Sequence, residues 1–174
     1  MAAGVTQPSA VMVRAATAAD AAAIAAIYAP HVLHGTASFE TDPPAAAEMA
    51  ARVAHVTAAG WPWLVAEDGG VILGYAYAAQ FRDRPAYAAT CENSVYVAAG
   101  AHRRGVGTAL MLVLLEAARA VGFREMIAVI GDGNGNVASC RLHAACGFRD
   151  AGLLTNVGFK FGRWLDVAYM QQTL

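Results

Sequence analysis

A strand, glycine loop, helix and strand unit in the middle of the chain constrains the fold most. Residues 91–97 form an apolar segment of strand length, and a loop follows over residues 98–104. An unbroken helical pattern extends over about 105–121, ends at Gly122, and is followed by a further strand at 125–130. Because the strands alternate with a long helix, the unit predicts an α/β domain.

Local signals on both sides of this unit predict the other elements. Thr17 and Asp20 have the spacing of a capping box, and Asp68-Gly69-Gly70 forms a turn between two short strands. The predicted strands are 11–14, 63–67, 71–79, 151–156 and 164–171, and the predicted helices are 17–32, 45–58 and 137–145. A length of 174 residues suits one ordinary domain. We therefore expect a flexible N-terminus over 1–10 and a single domain over 11–174.

Composition argues against membrane and nucleic-acid partners. The chain is 57% hydrophobic and 14% charged, but its longest candidate span, 109–118, is too short and contains Glu116. Residues 1–10 lack the features of a secretion signal, so we expect a cytoplasmic protein. With 12 basic and 13 acidic residues the net charge is -1, which offers no general attraction for nucleic acid. Any anion site must be local.

No metal site is expected from the cysteines and histidines. Cys91, Cys140 and Cys146 are odd in number, and five residues separate the last two, where a zinc site favours two to four. None of the histidines stands in a recognised ligand spacing. We interpret the cysteines as reduced, packed thiols.

The segment 102–108, His-Arg-Arg-Gly-Val-Gly-Thr, is the sharpest local motif. Two glycines let the backbone approach a ligand, and the N–H groups that begin the following helix favour an anion. A Walker loop is excluded because the only lysine is Lys160. A dinucleotide fingerprint is weak because Leu110 stands where its third glycine belongs. The motif therefore predicts a ligand that carries phosphates.

This segment resembles the acetyl-coenzyme A loop of the GNAT N-acetyltransferases, [QR]xxGx[GA], which reads HRRGVG here with His102 at the first position. In that family consecutive backbone N–H groups hold the coenzyme's pyrophosphate. The resemblance implies acetyl-coenzyme A as co-substrate, no metal, and coenzyme contacts from Arg103, Arg104, Gly105, Val106, Gly107 and Thr108.

The resemblance covers nearly all of residues 11–174 and is closest to the phosphinothricin and methionine sulfoximine acetyltransferase branch. It rests on IYAPHV, TASFE, WPWLVAE, RPAYAATCENSVYV, NVASCRLHAACGF and GFKFGRWLDV. It implies a mixed, partly splayed sheet with flanking helices, and a homodimer.

Two catalytic residues follow from this resemblance. Glu92 matches the carboxylate that removes a proton from the substrate's ammonium group, directly or through water, although a solvated edge carboxylate is the alternative. His143 matches a histidine that assists proton transfer or contacts the coenzyme, and its alternative is a structural histidine. Ala144 replaces a common glutamate of the family.

Further coenzyme contacts are implied on the strand before the loop and on the helix at 137–145. Val95, Tyr96 and Val97 resemble the splayed strand that pairs with the pantetheine arm, and one of its N–H groups can polarise the acetyl carbonyl. Asn136 and Ser139 match an NxxS that contacts the same arm. Helix capping is the alternative, and both can hold for Asn136.

Substrate contacts are implied around RPAY. Arg84 and Tyr87 match positions that face the amino-acid substrate, and a guanidinium suits an α-carboxylate. Arg82 is the competing candidate, and Phe39 is expected in the pocket wall. Lys160 and Trp164 are further wall candidates, and packing is an equal alternative for them and for Phe39.

The sequence thus predicts transfer of acetyl from acetyl-coenzyme A to the α-amine of a small amino-acid analogue, by direct attack in a ternary complex. Cys91 should face away from Glu92 because side chains alternate along a strand. Two alternatives stay open: an acetyltransferase of protein N-termini or polyamines, and a non-catalytic coenzyme A-binding module.

Overall fold

The computed structural model describes residues 11–174, so the expected flexible N-terminus over 1–10 lies outside the described residues. Within these residues seven strands form one sheet, and four α-helices and several short 3-10 turns flank it. The strands are β1 Met12–Ala15, β2 Trp63–Asp68, β3 Val71–Gln80, β4 Thr90–Val97, β5 Glu125–Gly131, β6 Arg149–Lys160 and β7 Arg163–Thr173. The helices are α1 Ala21–Leu33, α2 Ala46–Ala58, α3 Val106–Ala120 and α4 Val137–Ala145.

The sheet is mixed, with the order β1-β2-β3-β4-β5-β7-β6. Only β4 and β5 are parallel, and α3 connects them. Their pairing ends at Asn93 and Ala128, whereas β4 stays paired with β3 as far as Val97. We call this opening between β4 and β5 the splay. The expected mixed, partly splayed sheet is confirmed.

Side chains from the two faces of the sheet form two cores. The core under α3 includes Leu110, Leu114 and Met126, and the core under α1 and α2 includes Ile24 and Tyr75. Cys91 belongs to the α3 core and is fully buried, as strand alternation predicts. All three cysteines are free thiols. None of the helices within residues 11–174 is long and apolar enough to cross a membrane.

Most predicted elements are confirmed, but the C-terminal strands are longer than expected. They form one long hairpin that turns at Phe161 and Gly162, both with positive φ. The pairing shifts register between Leu154 and Gly158, and Asn156 in that stretch has a φ of 56°. This bulge breaks the alternation of side chains along β6, so the alternating pattern that predicts a strand ends at residue 156. Upstream, the Thr17 N–H donates to the Asp20 carboxylate at 2.7 Å, which confirms the capping box.

Candidate active site

A cleft of about 320 Å³ lies at the start of α3. It contains ten of the eleven residues expected to contact the coenzyme: Val95, Tyr96, Val97, Arg103, Gly105, Val106, Gly107, Thr108, Asn136 and Ser139. The cleft is therefore formed by several segments that are distant in sequence, and not by the glycine loop alone.

Backbone geometry at the start of α3 makes this cleft suitable for an anion. Gly105 is the N-cap residue and has a φ of 77°, a left-handed conformation that glycine adopts without steric cost. A Cβ at Gly107 would lie 3.2 Å from Leu142 Cδ2, so this glycine keeps the loop close to α4. The first N–H groups of α3 have no partner within the helix, and its dipole attracts negative charge there.

The two arginines of the loop have different surroundings. Arg103 lines the cleft, but Arg104 points elsewhere and its Nη2 lies 2.7 Å from Asp68 Oδ2. The pair forms because the β2–β3 turn ends beside the loop, a tertiary contact that no local pattern reveals. Because its side chain is paired with Asp68, the coenzyme contact that we predict for Arg104 is through its backbone.

The splay continues the cleft into the sheet. A cavity of about 50 Å³ there is lined by residues that include Asn93, Val95 and His143. The edge of β4 from Ser94 to Val97 faces no strand on the β5 side, so its main-chain groups are free to pair with the amides of a pantetheine arm. These residues fit an acyl-coenzyme A. Asn136 also caps α4, because its Oδ1 accepts a hydrogen bond from the Ser139 N–H at 3.3 Å.

Beyond the splay lies a pocket of about 400 Å³ that contains Glu92. Phe39 lines it, together with Glu40, Ser94 and Tyr96. The cleft, the splay cavity and this pocket share Ala37 and Tyr96 in their linings, so the three cavities adjoin one another.

Glu92 is half-buried in this pocket. Burial raises the pKa of its carboxyl above the usual 4.5, and the positive charge of Arg82 partly opposes the shift. No side chain within residues 11–174 donates a hydrogen bond to this carboxylate. A carboxylate with a raised pKa and free lone pairs can accept a proton from a ligand.

His143 lies in the splay, where it is 3% exposed. Its Nδ1 lies 2.8 Å from the Ser139 carbonyl oxygen, and its Nε2 lies 3.0 Å from Asn93 Oδ1. Burial lowers its pKa, and the bond to Ser139 opposes the shift. A neutral ring carries one N–H, so it donates to only one of these two oxygen acceptors, and both ring nitrogens contact protein groups.

Asn93 is a residue that the sequence-based analysis missed. It is 5% exposed and follows Glu92 on the opposite face of β4, towards α4. A polar side chain on the buried face of an apolar strand was the signal for it.

The substrate residues expected in RPAY lie outside the pocket within this chain. Arg84 is exposed and donates to the Asp83 carbonyl oxygen at 3.0 Å. Tyr87 is 41% exposed and packs against Phe81. Arg82 lies over the Phe81 ring at 4.8 Å, and its charge acts on Glu92. Among the expected substrate residues, only Phe39 lines the pocket.

Lys160 and Trp164 differ in position. Lys160 is 6% exposed and donates to the carbonyl oxygens of Gly35 and Ser38 at 2.9 and 2.7 Å. Trp164 is 62% exposed and packs against Phe159, away from the pocket. Within residues 11–174 no cluster of three His, Cys, Asp or Glu side chains is placed to bind a metal.

Comparisons with known proteins agree with this geometry. Residues 13–169 match the family model described as an acetyltransferase (GNAT) domain. A phosphinothricin N-acetyltransferase of Alcaligenes faecalis is 55% identical over 89% of this chain and 78% of its own length. An L-methionine sulfoximine/L-methionine sulfone acetyltransferase of Pseudomonas aeruginosa is 40% identical over 93% of this chain and 94% of its own.

A solved structure supports the same assignment. The crystal structure of a GNAT superfamily phosphinothricin acetyltransferase from Sinorhizobium meliloti, in complex with acetyl-coenzyme A, aligns with a TM-score of 0.91. It is 46% identical, and the alignment covers 94% of this chain and 88% of that one. The chain therefore belongs to the GNAT family of acetyltransferases.

Proposed function

We propose that the protein transfers the acetyl group of acetyl-coenzyme A to the α-amino group of a small amino-acid analogue of the phosphinothricin, methionine sulfoximine or methionine sulfone type. The observation that carries this proposal is a series of three adjoining cavities: the cleft at the start of α3, the splay cavity and the pocket that contains Glu92. The names of the relatives support the substrate class.

The chain's backbone holds the coenzyme in this proposal. When bound, acetyl-coenzyme A supplies the acetyl group as a reactive thioester. The N–H groups of Gly105 to Thr108 hold its pyrophosphate, while the free edge of Val95 to Val97 orients its arm. An N–H of this edge polarises the acetyl carbonyl. Asn136 and Ser139 form the facing wall.

Glu92 removes the proton that would otherwise block the reaction. An α-ammonium group with a pKa of about 9 is mostly protonated at neutral pH, and only the neutral amine attacks a carbonyl. The raised pKa of Glu92 makes it a stronger base than an exposed glutamate. Once deprotonated, the amine attacks directly in a ternary complex, and no acyl-cysteine is required. His143 is the second proposed catalytic residue, because it lines the splay cavity next to the coenzyme's path.

The α-carboxylate of the substrate needs a cation. The pocket lining contains two carboxylates, Glu40 and Glu92, and no cation among its described residues. In this proposal a guanidinium from the 81–88 loop, outside the pocket lining, supplies the positive charge. We propose Arg84, supported by Tyr87, with Arg82 as the alternative because its charge already acts on Glu92.

Release of free coenzyme A tests this function. Purified protein with acetyl-coenzyme A and either phosphinothricin or methionine sulfoximine should liberate a thiol, detected with a chromogenic thiol reagent. Coenzyme binding without release would identify a coenzyme A-binding module. Faster acetylation of a peptide N-terminus or a polyamine would identify the other enzyme class. In cells, expression should raise tolerance to phosphinothricin.

We also propose a homodimer in the cytoplasm, where acetyl-coenzyme A is available. The β6–β7 hairpin exposes large apolar side chains that a monomer would leave in water: Leu153, Leu154, Val157, Phe159, Phe161 and Trp164. Sedimentation velocity should give twice the monomer mass, and Phe159→Lys should shift the protein towards monomer. A monomeric wild type would contradict this assembly.

A further inference from the structure

The loop between α1 and α2 places Phe39 against two glycines of β5 and β6, the strands on either side of β7. Its ring lies against Gly131 of β5 and Gly158 of β6. A Cβ at Gly158 would lie 2.6 Å from Phe39 Cζ and would overlap Cε2, while a Cβ at Gly131 would lie 3.1 Å from Cε1. Neither glycine has a positive φ, so each supplies space rather than an unusual backbone conformation.

Hydrogen bonds hold the backbone that precedes Phe39. The Lys160 ammonium, buried beneath the loop, donates to the carbonyl oxygens of Gly35 and Ser38 at 2.9 and 2.7 Å. Breaking these bonds would leave a buried charge without partners, which is costly. On the helical side, Ser38 Oγ lies 2.6 Å from the hydroxyl of Tyr28.

A second anchor lies at the start of the loop. The Thr36 hydroxyl donates to Asp132 Oδ2 at 2.8 Å, and Arg163 pairs with the same carboxylate. Because the loop is anchored at several points, a steric conflict at the glycines would move the Phe39 ring before it moved the loop.

The ring also borders the pocket that contains Glu92. It is 40% exposed, and Val129 and Val167 line the same pocket. A substrate whose amine reaches Glu92 thus places its side chain in a space limited by a phenyl ring and two valines. Such a space distinguishes side chains by length.

We propose that Phe39 sets the maximum length of the amino-acid side chain that this enzyme accepts, and that Gly158 determines this specificity by fixing the ring's position. This inference rests on the proposed acetylation of amino-acid analogues. A methyl group at residue 158 drives the ring into the pocket, and a smaller side chain at residue 39 enlarges it. Lys160 acts through the loop as a positioning residue.

Two substrates that differ by one methylene test the proposal: L-methionine sulfone and L-ethionine sulfone. The measured quantity is the ratio of their kcat/KM values. Phe39→Leu should shift this ratio towards the longer substrate by about 10-fold or more, the usual effect of one methylene in an apolar pocket. Gly158→Ala should shift it towards the shorter substrate. The double variant Gly158→Ala/Phe39→Leu should return towards the wild-type ratio, because the smaller side chain relieves the conflict.

Gly100→Ala is the matched control, since a Cβ at Gly100 meets no atom within 4 Å and should leave the ratio unchanged. Calorimetric titration with acetyl-coenzyme A should give the same affinity in all variants, which separates a pocket effect from general damage. An unchanged ratio in a folded, active Phe39→Leu variant would overturn the proposal, and so would failure of Phe39→Leu to compensate Gly158→Ala. If Gly158→Ala does not fold, the Phe39→Leu ratio decides alone. A wild type that acetylates neither sulfone nor any other amino acid would instead refute the proposed function.

Discussion

Two features of its surroundings shift the pKa of Glu92 in opposite directions. Its carboxyl projects into a pocket whose lining includes apolar side chains, while Arg82 contributes a positive charge from the neighbouring loop. Burial favours the neutral acid, and the guanidinium favours the carboxylate. Burial dominates, so the pKa of Glu92 lies above its ordinary value of 4.5.

Replacement of Glu92 tests its role as the base. Glu92→Gln keeps the shape and removes the basic oxygen, so kcat at neutral pH should fall by roughly 10² to 10⁴. In the wild type, kcat should decrease on the acid side with an apparent pKa above 4.5, because the base must be deprotonated. Steady-state kinetics over a pH series measure both effects. Glu116→Gln, which changes an exposed glutamate of α3, is the control. A Glu92→Gln enzyme with full activity and the same pH profile would move the role to His143 or to solvent.

Arg84 is tested with two substrates. Arg84→Ala should reduce the enzyme's stabilisation of the transition state for an amino-acid substrate by about 1.5 to 3 kcal/mol. This is the contribution of a charged hydrogen bond. It should change kcat/KM little for the corresponding methyl ester, which has no carboxylate. Arg82→Ala, measured alongside, compares the alternative guanidinium. Equal losses with acid and ester would assign Arg84 a structural role.

Local sequence signals predicted the helices and strands that depend on interactions between residues close in sequence. The strand, glycine loop, helix and strand unit was confirmed because periodicity, Gly105 and Gly122 act within a few residues. The second half of β6, after residue 156, was not foreseen, since the bulge before Gly158 hides the alternation. The pairing of Arg104 with Asp68 was also missed, because it depends on how a distant turn packs.

The glycine loop before α3 provides an element-scale prediction. Gly105→Val forces a β-branched residue into a left-handed conformation, which costs about 1 to 2 kcal/mol, and Gly107→Val crowds Leu142. The double variant should remain folded but lose measurable acetyl-coenzyme A binding, because its side chains block the approach of the phosphates. Calorimetry and thermal unfolding check the two statements. Unchanged affinity in a folded double variant would mean that the coenzyme binds elsewhere.

In the whole molecule, the candidate site lies where the two cores meet the splay. Glu92 and Tyr96 face the pocket on the α1 side, whereas Asn93 points to α4. Ten residues that the resemblance to GNAT enzymes assigns to the coenzyme line the cleft together, because a motif is carried by sequence, and their contact with the coenzyme stays a prediction. The resemblance did not predict the hydrogen-bond partners of His143 or the packing of Phe39 against two glycines. Both arise from contacts between strands and loops that are distant in sequence.

His143, which is buried, and His31, which is half-buried, make the stability of the fold depend on pH. His31 Nε2 lies 3.3 Å from the Val97 carbonyl oxygen, and His143 lies between α4 and β4. Burial lowers the pKa of both below the usual 6.5, so the unfolded chain binds protons that the folded chain does not. The unfolding free energy should therefore decrease as the pH falls below 6.5, by at most about 1.4 kcal/mol per pH unit for each histidine.

Urea denaturation between pH 7.5 and 5 should show this decrease. His143→Gln and His31→Gln should each reduce the slope, while His55→Gln, at an exposed position of α2, is the matched control. Ion pairs lower the pKa of Asp20 and Glu40, so their stabilisation is lost only at more acid pH, below their ordinary values of 3.8 and 4.5. Glu92 acts in the opposite direction, because its raised pKa makes protonation favour the folded state, and the comparison is therefore repeated in the Glu92→Gln background. A slope that persists unchanged in the His31→Gln/His143→Gln double variant would contradict the assignment to these two rings.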